Sequence, residues 1–152
     1  MAGFSHTEAG SGLDMLAATE ETDRRDMRAK YFRHALDELK HARLFRERSL
    51  ALSSDKKNRT RAMLDDANFI REHGINQADS LFTQLGEVEF LAFVWIAEQR
   101  GAQQFDVYAD LMKDDEDSCT MFAEIADDER FHIAYSRAEL DRYEAKGEAE
   151  AV

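Results

Sequence analysis

The sequence predicts an all-α fold, an antiparallel four-helix bundle with a long crossover that contains a short extra helix. Proline, which breaks helices, is absent from the 152 residues, and glycine occurs only 7 times. Apolar residues also recur every three or four positions along most of the chain, as in amphipathic helices. With 43% hydrophobic residues, the chain can form one domain with its own core. We assign that domain to residues 1–146 and expect a frayed tail over 147–152.

Charge and cysteine content limit the classes of function. Acidic residues number 32 against 20 Lys and Arg, which gives a net charge of −12. This balance argues against nucleic acid or an anionic membrane as the partner. The single cysteine, Cys119, excludes an internal disulfide and any thiolate-rich metal site. We expect a cytoplasmic protein, since the sequence has neither an apolar signal core nor an apolar run of about 18 residues.

The first helix is predicted over residues 3–21. Phe4, Glu8 and Met15 fall on one face at helical spacing. The pair Thr22-Asp23 then supplies a turn and an N-cap. We therefore expect Glu8 to face the core.

The second helix is predicted to run to about Ser49, and its pattern is strongly periodic. Glu38 and His41 stand inside a stripe that should be apolar if it faces a core, so they need a chemical explanation. The stripe consists of Tyr31, Ala35, Glu38, His41 or Ala42, and Phe45.

The second half of the chain repeats this arrangement after a crossover. Residues 56–72 form the short extra helix, and Gly74 fits its end. A long helix follows over about 77–112, and its run 90–97 is apolar on nearly every face, as in a deeply buried helix. The last helix is predicted over about 115–145. Its inner side carries Phe122, Ile125, Ala126, Glu129, His132, Ile133 and Leu140.

The segment Asp-Glu-x-x-His occurs twice, at residues 37–41 and 128–132. Residues i and i+3 of a helix share a face, about 5–6 Å apart at Cβ. Each Glu and His of the two segments therefore points the same way, and both residue types are metal ligands.

Each copy also has a Glu at a similar distance upstream. Glu8 precedes Glu38 by 30 residues, and Glu98 precedes Glu129 by 31. The predicted turns fall near the middle of both intervals, so at about 1.5 Å rise per residue each upstream Glu returns to the height of its motif. Glu87 and Glu89 are alternatives to Glu98, but they lie too far along the helix.

Packing the two hairpins face to face would bring four carboxylates and two imidazoles together. This is a ligand set that binds two iron or manganese ions in helical bundles. Four carboxylates also balance two divalent cations, whereas without metal their burial would be costly. The predicted ligands are Glu8, Glu38, His41, Glu98, Glu129 and His132.

Some nearby residues have two interpretations. A single Glu-x-x-His is common by chance, and only the conjunction of two motifs with two upstream Glu residues favours a metal site. His34 lies one turn before Glu38, and we interpret it as a core or surface histidine rather than a partner of the site. Asp37 and Asp128 are candidates to hold the His rings. Trp95 is interpreted as a core residue near the site.

On these residues the chain resembles the ferritin-like di-iron carboxylate superfamily. The symmetric set of four Glu and two His is most similar to bacterioferritin and rubrerythrin centres. The chain departs from both: its one cysteine excludes the cysteine site of rubrerythrins, and Gly101 stands where they carry an extra Glu. Leu39 stands where bacterioferritins carry a haem-ligating Met, so no haem is expected. The resemblance therefore places the chain as an outlying member of this superfamily.

The resemblance implies two Fe ions, or Mn or a mixed Fe/Mn pair, that react with dioxygen or peroxide. The expected activity is that of a non-haem di-iron oxidoreductase acting on Fe(II) or a small molecule. One alternative is an iron-storage or iron-handling homo-oligomer. Another is a helical binding protein in which the metal is only a structural staple.

Overall fold

In the computed structural model, the structure describes residues 2–53 and 80–147, so the predicted helix at 56–72 lies outside the described residues. Within these two ranges the chain is helical and has no strand, which confirms the all-α prediction. The helices are α1 (Ala2–Glu21), α2 (Arg25–Leu52), α3 (Leu81–Leu85), α4 (Glu87–Leu111) and α5 (Glu116–Lys146). Over the described ranges, no helix combines the length and apolarity needed to cross a membrane.

The chain divides into two compact units, Met1–Thr83 and Gln84–Val152. The first is built on the hairpin of α1 and α2, and the second on the hairpin of α4 and α5. The assignment of one domain to residues 1–146 stays a prediction.

The turn of the first hairpin is stabilised by Thr22. Its hydroxyl accepts a hydrogen bond from the Arg24 backbone N–H at 3.2 Å, and its carbonyl accepts one from Arg28 Nε at 3.1 Å. The predicted turn is therefore confirmed. The prediction that Thr22-Asp23 supplies the N-cap is wrong, because the N-cap of α2 is Arg24, which makes no side-chain cap hydrogen bond.

Helices α1 and α2 approach each other closely. Near one end, the rings of Phe4 and Phe45 lie 5.1 Å apart, and Ser5 Oγ donates to the Ala42 carbonyl at 3.0 Å. A Cβ built on Gly12 would lie 2.9 Å from Leu39 Cγ, so only glycine fits there without movement of Leu39. The predicted α2 stripe is buried as expected.

The predicted long helix over 77–112 is interrupted at Gly86. This residue has φ 79° and ψ 168°, a conformation open almost only to glycine, and it separates α3 from α4. The prediction of one continuous helix is therefore wrong, because the apolar spacing continues past the break. The expectation of burial on every face is also wrong: Phe93 and Ile96 are each 49% exposed.

Helix α5 (Glu116–Lys146) matches the predicted last helix over about 115–145 closely. The rings of Phe105 and Phe122 lie 6.0 Å apart, and Tyr108 stacks on Phe122 at 5.2 Å. Helix α5 ends at Gly147, which adopts the left-handed conformation with φ 70° and ψ 20° that commonly terminates helices. The predicted inner face of α5 is buried, except for the half-buried Ile133.

Candidate metal centre

The first hairpin brings together the three residues predicted from its half of the sequence. Glu8 comes from α1, and Glu38 and His41 come from α2; all three side chains are buried. His41 Nδ1 lies 3.7 Å from Glu8 Oε2 and 3.6 Å from Glu38 Oε1. The height match deduced from the interval of 30 residues therefore holds within this hairpin.

These separations suit atoms arranged around a cation. Two ligand atoms that each lie about 2.1 Å from one ion, at angles of about 90–120°, are about 3.0–3.6 Å apart. A direct N–H···O hydrogen bond is typically shorter, about 2.7–3.2 Å. The first hairpin thus holds its donor atoms close to the spacing that a bound ion requires.

His34 is also part of this group. It is fully buried, and its Nε2 lies 3.4 Å from Glu38 Oε1. The sequence signal for it was present, because residues i and i+4 share a helical face. A single core histidine is nevertheless too common to be assigned to a site from sequence alone.

The carboxylate of Glu38 lies between these two imidazoles. Burial alone would raise the pKa of Glu38, but interaction with His34 and His41 outweighs burial and lowers the pKa below its ordinary value. Glu38 is therefore held as a carboxylate, the form that binds metal.

The second hairpin brings its own three predicted residues together. Glu98 from α4 and Glu129 and His132 from α5 are buried. His132 Nδ1 lies 2.8 Å from Glu129 Oε2, and Glu98 and His132 offer ligand atoms within 4.8 Å of each other. A Cβ on Gly101 would lie 4.0 Å from both Glu98 Oε2 and Glu129 Cγ, which places this small residue beside the carboxylates.

The alternatives to Glu98 are located elsewhere. Glu87 accepts a hydrogen bond from the Tyr143 hydroxyl at 2.7 Å, and Glu89 is exposed. Neither is buried, so Glu98 is the α4 carboxylate with the environment of a ligand.

Other polar residues near the motifs have structural partners. Asp37 is half-buried, with Oδ2 3.9 Å from Arg33 Nε. Trp95 is half-buried, and the guanidinium of Arg137 lies 5.2 Å from its ring. Glu139, which no sequence motif singles out, is fully buried and paired with Arg142; its position seven residues after His132 was the available signal.

The described residues therefore include two groups of buried Glu and His side chains that could hold metal ions. Their donors are carboxylate oxygens and imidazole nitrogens, a combination that suits iron(II) and manganese(II). Comparisons with family models, curated proteins and solved structures find no match to this chain. Its function is therefore inferred from the geometry of the two hairpins.

Proposed function

We propose that this protein is a non-haem di-iron oxidoreductase, in which six side chains hold two Fe ions or a mixed Fe/Mn pair. The observation that carries the proposal is that each hairpin buries a Glu-x-x-His pair and a Glu from its other helix. The proposed ligands are Glu8, Glu38, His41, Glu98, Glu129 and His132.

The number of buried carboxylates supports the binding of two divalent ions. Each hairpin contributes two buried carboxylates, and a buried carboxylate without a compensating charge is costly. Two divalent cations neutralise all four carboxylates, while neutral imidazoles add ligands without charge. Bound metal therefore offsets the cost of burying these groups.

The proposed architecture is a ferritin-like four-helix bundle made from the two hairpins. Support comes from the repeat in the sequence, since each hairpin alone presents half of the known ligand set for such bundles. The same proposal includes a cytoplasmic location.

Bound Fe(II) would supply the reaction with dioxygen or peroxide. The protein side chains would hold and orient the ions, and their burial would limit access of bulk water.

Metal analysis and oxygen uptake test the proposal. Protein loaded with Fe(II) without oxygen should retain two Fe per chain after gel filtration, and admission of air should consume oxygen and produce an absorption change. A matched pair of variants on α2 provides the control. Glu38→Gln should lose metal, whereas Glu47→Gln, at an exposed position, should behave as the wild type.

Three results would separate the candidate functions. Absence of retained iron contradicts the proposed iron centre. Retained iron without oxygen uptake indicates a structural staple instead of an oxidoreductase. Two Fe per chain with oxygen uptake supports the proposal.

Iron storage in an oligomer is the second candidate, and exposed apolar side chains favour it. In α4, Phe93, Ile96, Val107 and Leu111 are 49–68% exposed and fall on one helical face. Exposed apolar faces commonly mark contacts between proteins. Light scattering distinguishes the candidates, because storage requires a large closed cage that accumulates iron far beyond two ions per chain.

A further inference from the structure

Helix α2 carries an additional imidazole on the same face as Glu38. His34 stands about one turn before Glu38, and His41 stands about one turn after it. His34 Nε2 lies 3.4 Å from Glu38 Oε1, and His41 Nδ1 lies 3.6 Å from the same oxygen. One carboxylate oxygen thus has an imidazole on either side.

The second hairpin has an apolar residue at the corresponding position. Alignment of the two Asp-Glu-x-x-His segments pairs His34 with Ile125, which is also fully buried. An aliphatic side chain therefore fills the equivalent place in α5. Packing alone does not explain a buried imidazole at position 34, because burial of its polar atoms costs free energy unless they are used.

We infer that His34 is a metal ligand, so that the protein binds its two ions with three imidazoles instead of two. This inference rests on the proposed function. Because three imidazoles cannot be divided equally between two ions, the two metal positions differ. Glu38, with its Oε1 near both α2 imidazoles, is the carboxylate that we assign to both ions.

Unequal positions have a consequence for metal choice. The position with two imidazoles is richer in nitrogen, and divalent iron binds nitrogen and oxygen ligands more tightly than manganese does. That position should fill first, and in a mixture of Fe(II) and Mn(II) it should select iron. The inference therefore deepens the proposed function by explaining how a mixed pair could be assembled.

Proton NMR of the Co(II)-loaded protein tests this directly. An imidazole that binds Co(II) through one nitrogen carries an exchangeable proton on the other, and the paramagnetic ion shifts its resonance far from the normal range. The wild type should show three such resonances, which disappear in deuterated water. Two resonances would overturn the inference, since His41 and His132 alone account for them.

Two variants separate coordination from hydrogen bonding. In His34→Gln the side-chain amide can still donate to Glu38 but is a poor metal ligand, and His34→Ile introduces the residue type that α5 carries. If His34 is a ligand, both variants should show two shifted resonances and bind the first Co(II) at least about tenfold more weakly. Wild-type affinity in His34→Gln would mean that His34 only positions Glu38.

His6→Gln is the matched control, because His6 lies on α1, outside the group of Glu8, Glu38 and His41. It should keep three resonances. A wild type that binds neither Co(II) nor Fe(II) would contradict the proposed function itself. A wild type that binds two ions with only two shifted resonances would contradict the role of His34 alone. If His34→Ile does not fold, the number of shifted resonances in the wild type and in His34→Gln still shows whether His34 is a ligand.

Discussion

Glu38 shows at the scale of one residue how the site affects folding. Its carboxylate is almost completely buried, yet its pKa is lowered, because interaction with His34 and His41 outweighs burial. A carboxyl group with a lower pKa in the folded protein than in the unfolded chain stabilises the fold at pH values above its unfolded pKa. That contribution is lost as the pH falls through the folded pKa.

The lowered pKa of Glu38 predicts that the metal-free wild type and Glu38→Gln differ in free energy of unfolding, and that this difference depends on pH. Above the ordinary Glu pKa of about 4.3, the wild type should gain stability from the carboxylate that the variant lacks. The difference in free energy of unfolding should shrink as the pH falls below that value. Urea denaturation of both metal-free proteins between about pH 3 and pH 7 measures it.

Glu47→Gln again serves as the control, because Glu47 is exposed and lies 3.7 Å from Arg43 across one helical turn. Exposed pairs contribute little to stability. A difference between wild type and Glu38→Gln that is independent of pH would contradict the assigned direction of the Glu38 pKa.

Most of the Glu and His residues that each hairpin brings together could be predicted from sequence. Spacing of three within a helix and of about thirty across a turn fixed the partners of Glu38 and Glu129. From sequence alone, His34 could not be assigned to the site and the role of Glu139 could not be deduced, because a polar residue in an apolar stripe has several explanations. The structure places His34 beside Glu38 and pairs Glu139 with Arg142 instead.

At the scale of helices, replacement of glycine by alanine is expected to have opposite effects on stability at positions 12 and 101. A Cβ at position 12 would lie 2.9 Å from Leu39 Cγ and 3.4 Å from the Ala35 carbonyl oxygen. A Cβ at position 101 would meet its nearest neighbour, Phe105, at 3.7 Å, an ordinary contact. Both residues are helical, where Ala is favoured over Gly by about 1 kcal/mol.

Gly101→Ala should therefore stabilise the metal-free protein by up to about 1 kcal/mol. Gly12→Ala should destabilise it, because overpacking costs about 1–3 kcal/mol and exceeds the gain in helix propensity. Chemical denaturation of the two variants provides the comparison, with each acting as the other's control. Equal shifts in the same direction would show that close packing of α1 on α2 does not depend on Gly12.

The break between α3 and α4 gives a third prediction. Gly86 adopts φ 79° and ψ 168°, and a side chain in this region of backbone space costs about 1–3 kcal/mol. Gly86→Ala should destabilise the protein by that amount, even though Ala favours helices. If thermal denaturation instead finds Gly86→Ala as stable as the wild type, the chain can form the continuous helix that the sequence pattern predicts.

Sequence periodicity identified the helices of both hairpins but did not reveal this break. Helical spacing reports which side chains share a face, and Leu81, Leu85 and Val88 keep that spacing across Gly86. The backbone conformation of a single glycine leaves no mark on the pattern. Exposure of Phe93 and Ile96 was also hidden, because apolar composition does not show which surfaces lack a packing partner.

At the scale of the whole molecule, the net charge of −12 and four buried carboxylates lead us to expect that bound cations stabilise the fold. A ligand that binds only the folded state adds about 2.7 kcal/mol at a concentration of 100 times its Kd. If both hairpins serve one pair of ions, removal of a ligand from one hairpin should weaken metal binding by the other. Two independent sites would show no such coupling.

Glu129→Gln tests this coupling, because Glu129 belongs to the unit Gln84–Val152, whereas Glu8, Glu38 and His41 belong to Met1–Thr83. With a shared centre, Co(II) titration should lose the two-ion stoichiometry, and any ion that remains should bind at least about tenfold more weakly. The paramagnetic resonance assigned to His41 should shift or disappear as well. Glu124→Gln, at an exposed position of the same helix, should leave both measurements unchanged. Retention of one ion with unchanged affinity and an unchanged His41 resonance would show that the first hairpin binds metal independently.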